Sequence, residues 1–200
     1  MENIYEHITV AQFGQIRAIL CSDRQPEDKM IAIASTLQGI SEEELLDMDL
    51  NHAREVFAVM GGLDEKPKAA RIRKVYHVGP WKLRVCEAQD MCVAQWVDYQ
   101  QFLRQGAEEH MTDTLSVALV PDGKKYNEGY DIAQLRKDIA EKMSMADALA
   151  VCFFFQKKWL KSMRRTLTYL VGWTSMKGQK ELKERALRVR GQVSDMLHSL

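Results

Sequence analysis

From Ala118 to Phe155 the chain reads ALVPDGKKYNEGYDIAQLRKDIAEKMSMADALAVCFFF, an ordered succession of local signals that commits this region to a turn followed by two helices. Pro121-Asp122-Gly123 has turn chemistry, and Asp131 can cap a helix carrying Ile132, Leu135, Ile139 and Met143. Ser144 with Asp147 then meets the capping pattern, and a long helix can run from Met145 towards Val171. Met145, Leu149, Cys152, Gln156, Trp159, Leu160, Met163, Leu167 and Leu170 share one stripe of it, enough to bury the helix against a core.

Val151, Phe154 and Phe155 fall off that stripe, so the first half of the helix is apolar nearly all round. Two readings follow. Either the helix start is fully buried, or these side chains form an exposed apolar patch that contacts a partner, next to the cations Lys157, Lys158, Lys161, Arg164 and Arg165.

Upstream, helix signals recur. Thr9 with Gln12 is a capping box ahead of Val10, Phe13, Ile16, Ile19 and Leu20, predicting a helix from about 10 to 21. Pro26 suits a first turn, and Met30, Ile31, Ile33, Ala34 and Leu37 continue a second helix to Gly39. Ser41 with Glu44 starts a short acidic helix, and Asn51 is the expected cap of a segment through Val56, Val59 and Met60 that stops at Gly61-Gly62. The residues Ile72 to Val78 and Trp81 to Val85 alternate around Gly79-Pro80, which predicts a hairpin near 72–86. Two strands alone are marginal, so the hairpin must pack on helices or pair with a third strand, for which Leu115 to Val120 is the candidate. Met91, Ala94, Trp96, Val97, Tyr99, Phe102 and Leu103 predict a helix from about 89 to 105, ended by Gly106. The expected fold is mainly α: a helical domain over 1–175 with a small β-hairpin and a long C-terminal helical region, and an amphipathic, separable helix over 176–200.

The length of 200 residues, with 46% hydrophobic and 28% charged, suffices for one domain with a real core and includes no disordered tract. No apolar run approaches the roughly 18 residues of a membrane span, and MENIYEHITV lacks the basic start and apolar middle of a signal peptide, so an intracellular protein without membrane contact is expected. Cys21, Cys86, Cys92 and Cys152 are scattered without CxxC or CxxH spacing, which predicts structural thiols and neither a disulfide framework nor a metal site. Phosphate-cradling glycine loops, HExxH and GxSxG are absent, and Glu108-Glu109-His110 diverge in direction as neighbours on one element. No catalytic residue and no cofactor are therefore assigned. The zero net charge hides a segregation: residues 1–70 carry 6 basic and 13 acidic side chains, whereas residues 153–200 carry 11 and 3. Either each end solvates its own helices, or the opposite-signed ends attract one another, within a molecule or head to tail between copies, the last favouring a homo-oligomer.

A family resemblance joins these observations. The TVAQF opening, IASTLQGISEEELLDMDL, the hairpin VYHVGPWKLRV, the helix MCVAQWVDYQQFL, the turn VPDGKKYNEGYD and the helix start MSMADALAVCFFF together resemble the tail assembly chaperones of long-tailed bacteriophages and prophages, over about residues 5–160. The resemblance implies a non-enzymatic protein in the host cytoplasm that binds the tape measure protein, keeps its apolar helical segments soluble and recruits the major tail protein. It carries no catalytic residues over, and the basic region Lys157 to Arg190 extends beyond it. Two other classes stay open: a virion subunit of connector or tail-terminator type, and nucleic-acid binding through the basic C-terminal region. Against nucleic acid, the last helix lacks aromatic residues that could stack on bases.

Overall fold

The computed structural model describes residues 3–64, 69–87, 90–106, 109–176, 184 and 187–189. Helix α1 (Val10–Cys21) begins where the side chain of Thr9 accepts the Gln12 N–H (3.2 Å) and Gln12 returns a bond to the Thr9 N–H (3.0 Å). The same Gln12 amide donates to the carbonyl of Thr36 (3.0 Å), tying α1 to α2 (Pro26–Gln38). Proline in the first turn and Gly39 at φ 69° delimit α2, because proline's missing N–H is harmless at a helix start and glycine accepts the left-handed conformation at its end. Ser41 and Glu44 form the second capping box, starting α3 (Glu42–Leu46). The cap of α4 (Leu50–Met60) corrects the expectation: the Asp49 carboxylate, not Asn51, accepts the N–H groups of Asn51 (2.9 Å) and His52 (3.1 Å). A carboxylate two residues upstream reaches those orphan donors, whereas Asn51 is already helical. Helices α3 and α4 close over α2 around Ala34, Leu45 and Val56, a small apolar cluster of its own.

Strands β1 (Val75–Val78) and β2 (Trp81–Val85) form the expected hairpin, in register Tyr76 opposite Leu83 and Val78 opposite Trp81. Gly79, at φ 54°, takes the first central position of the two-residue turn, the left-handed geometry that matches the twist of paired strands. The third strand is shorter than expected. Only β3 (Leu119–Pro121) pairs with β2, while Leu115 to Ala118 belong to helix α6 (Met111–Ala118). Thr114 through Val120 are all buried, and a run buried on every side carries no exposed face whose period would separate helix from strand. Helix α5 (Val93–Gly106) starts later than the expected 89.

Helix α6 is the centre of the main core: α5, α7 (Ile132–Lys142), α8 (Met145–Met176) and β3 all pack on it. Asp131 caps α7 through the N–H groups of Ala133 (2.9 Å) and Gln134 (3.2 Å). The α7–α8 junction is held by the N-terminal segment, where Val10 N–H donates to Met143 O (3.2 Å) and Met145 N–H to Ile8 O (2.8 Å). On the far side of α7 the buried carboxylate of Asp138 accepts from Lys142, from Trp81 Nε1 (2.8 Å) and from Gln134 Nε2 (3.1 Å), locking the hairpin onto the helix. Helix α8 runs past the expected Val171 to Met176. The architecture is mainly α with one three-stranded antiparallel sheet. Of the C-terminal helix expected over 176–200, Met176 is the last residue of α8, and Glu184 and residues 187–189 are helical and exposed; the rest lies outside the described residues.

Candidate protein-binding site

The first half of α8 settles the two readings of its off-stripe residues. Val151 is fully buried and Phe155 is 2% exposed, with its ring 5.3 Å from Tyr99 of α5 and 5.5 Å from Phe154. Both are core, which corrects their placement on a surface patch. The cause is α5, whose Tyr99 packs onto the side of α8 that a single-helix stripe leaves open. Phe154 is half-buried and covered from outside by Lys158, whose ammonium sits 5.1 Å over the ring and pairs with Glu87 at 2.8 Å. Lys157 and Lys161 are exposed. The side chains of Trp159, Met163, Arg164, Arg165, Leu167 and Leu170 lie outside the described residues. The phenylalanine that reaches solvent is Phe153, 41% exposed, which with Lys157 and Lys161 makes a strip at four-residue spacing.

The stripe residues Cys152 and Gln156 face a cleft of about 430 Å³ between three helices, lined also by Tyr99, Gln100, Leu103 and Arg104 of α5 and Thr114 of α6. That volume lies within the range of binding cavities. Its wall is mostly apolar. Burial pushes the Cys152 thiol up to about 12 and raises the Tyr99 phenol, so both are neutral at physiological pH and behave as packing surface. Two polar atoms in the wall, Gln100 Nε2 and Thr114 Oγ1, are buried and without a hydrogen-bond partner among the described residues. Leaving such a group unpaired costs about 1–3 kcal/mol, and a bound ligand, partner or water removes that cost.

A second cleft, of about 510 Å³, continues over the outer face of α5, lined by Trp96, Val97, Gln100, Gln101, Arg104 and Gln105. Gln100 and Arg104 belong to both, so the two join along the helix. One turn before Val97, itself 54% exposed, Val93 is 81% exposed. The helix expected over 89–105 corresponds to α5, and its periodicity leaves open which face is covered. Val93 and Val97 point outward.

His110, Asp113, Ser116 and Arg136 form one connected polar cluster at α6 and α7. His110 Nδ1 lies 3.2 Å from Asp113, whose other oxygen is 3.2 Å from Arg136 Nε; that nitrogen also donates to Ser116 Oγ (3.2 Å). Ser116 is fully buried and its hydroxyl donates to the Asp113 carbonyl (2.7 Å), while Phe102 packs on both the imidazole and the guanidinium. The hydroxyl is thus committed to α6 and directed away from solvent. Of the Glu108-Glu109-His110 run, Glu108 lies outside the described residues. Among the described residues no group of three His, Cys, Asp or Glu side chains is placed to hold a metal ion, and no helix is long and apolar enough to cross a membrane. No protein-family model, curated protein or solved structure matches the chain.

Proposed function

We propose that the protein is a non-enzymatic assembly chaperone of the long-tailed phage type, which holds apolar helical segments of a tape measure protein in solution and brings the major tail protein to them in the host cytoplasm. The observation that carries this reading is the joined cleft along α5, with its apolar wall, exposed Val97 and two buried polar atoms without a hydrogen-bond partner among the described residues, and with exposed Val93 one turn beyond it. A helix laid into a groove presents apolar anchors at three- and four-residue intervals, and Val93 and Val97 supply a matching four-residue spacing. The glutamine side chains 100, 101, 105 and 156 can donate or accept as the incoming helix requires, which suits a surface that receives several similar segments.

Co-expression with a tape measure protein tests this. The parent protein should keep that protein in the soluble fraction. Val97→Glu should lose the effect while its own stability stays within about 0.5 kcal/mol, because Val97 is exposed. Failure of the parent to solubilise the tape measure protein rejects the chaperone reading; full activity of Val97→Glu rejects the α5 cleft as its site.

A further inference from the structure

We infer that the protein self-associates head to tail, with the acidic α3–α4 corner of one copy seated on the Phe153–Lys157–Lys161 strip of the next. The corner exposes two leucines, Leu46 (65%) and Leu50 (76%). Beside them stand two exposed carboxylates, Glu43 and Asp47. The Asp47 N–H bonds the Glu43 carbonyl, so the two residues are one helical turn apart. The neighbouring acids are already engaged: Glu42 pairs with Arg24, Glu44 closes the capping box, and Asp49 caps α4. Glu43 and Asp47 have no ion-pair partner among the described residues.

The α8 strip is the complement. Phe153 is the apolar element, and Lys157 and Lys161 follow at intervals of one turn, likewise exposed and without an ion-pair partner among the described residues. On both surfaces the two charges are thus about 6 Å apart along a helix. Two helical segments laid side by side can bring each lysine to one carboxylate while Phe153 meets the leucines. The apolar contact supplies attraction and the paired charges fix the register. The corner stands on the α2–α4 cluster and the strip on the main core, so the contact is between different patches of two copies and propagates into a ring or an open array. This goes beyond the capture of a partner helix and uses a surface beside the cleft.

Sedimentation velocity of the full chain at about 50 mM and about 500 mM salt tests the inference. The parent should associate with rising concentration, more strongly at low salt. A Glu43→Lys/Asp47→Lys variant and a Lys157→Glu/Lys161→Glu variant should each associate at least about thirtyfold more weakly, since each turns two attractions into repulsions. Mixed together they should associate again, because each then offers the other a complementary surface, and circular dichroism should show both variants folded. A monomeric parent at low salt overturns the inference, as does parent-like association of either folded variant, or a mixture that stays monomeric. The tape measure solubility assay is scored separately, so self-association and chaperone activity can fail independently.

Discussion

Three consecutive phenylalanines at 153–155 meet three environments. Phe153 is in solvent, Phe154 lies half-buried under Lys158, and Phe155 is packed against Tyr99. Successive helix positions turn by about 100°, so a run of identical side chains samples the whole circumference, and only the neighbours decide which is covered. The stability ledger should follow. Phe155→Ala is expected to cost about 3–5 kcal/mol in chemical denaturation, whereas Phe153→Ser should stay within about 0.5 kcal/mol. Comparable losses at both positions would contradict this assignment. The sequence carried the apolar surplus but not its partition, because the covering group, Tyr99, comes from a helix some fifty residues away. The Thr114 hydroxyl and Gln100 amide nitrogen, without partners among the described residues, had no local signal at all: a threonine inside a buried run reads like any core residue until the cleft beside it is known.

At the scale of elements, legibility tracks how local the determining interaction is. The boxes at Thr9 and Ser41, the Asp131 cap, proline at the start of α2 and the Gly79-Pro80 turn all lie where the chain's own spacing puts them, each set by contacts within four residues. The misplaced strand at Leu115 shows the converse, since Thr114 to Val120 are buried throughout and the choice between helix and strand there is set by the elements packed around them. The α7–hairpin lock is likewise non-local. Asp138 is held to about 2 by its bonds from Lys142 first, then Trp81 and Gln134, against an ordinary value near 3.8. A carboxylate with a lowered native pKa stabilises the fold above its unfolded value, and that contribution disappears as pH falls. Melting temperature should therefore drop as pH falls from about 4 to about 2, and Asp138→Asn should flatten that part of the profile. An unchanged slope in the variant would show that Asp138 does not titrate with unfolding.

Over the whole molecule, charge and apolar surface are distributed together. The acidic N-terminal part exposes Leu46 and Leu50, the outer face of α5 exposes Val93 and Val97 beside Arg104, and the start of α8 exposes Phe153 beside two lysines. The charge segregation was readable from residue counts, and it pointed to the ends of the chain. The first cleft lies elsewhere, between α5, α6 and α8, because it arises from the way three helices fail to close around Thr114, and the second continues from it over α5. Hydrogen–deuterium exchange on the purified complex with a tape measure protein tests the central claim most directly. The account predicts new protection concentrated in residues 93–105 and 152–157, where the cleft walls lie, with little change in β1 and β2. Protection confined to other surfaces, with exchange in α5 unaltered, would contradict it.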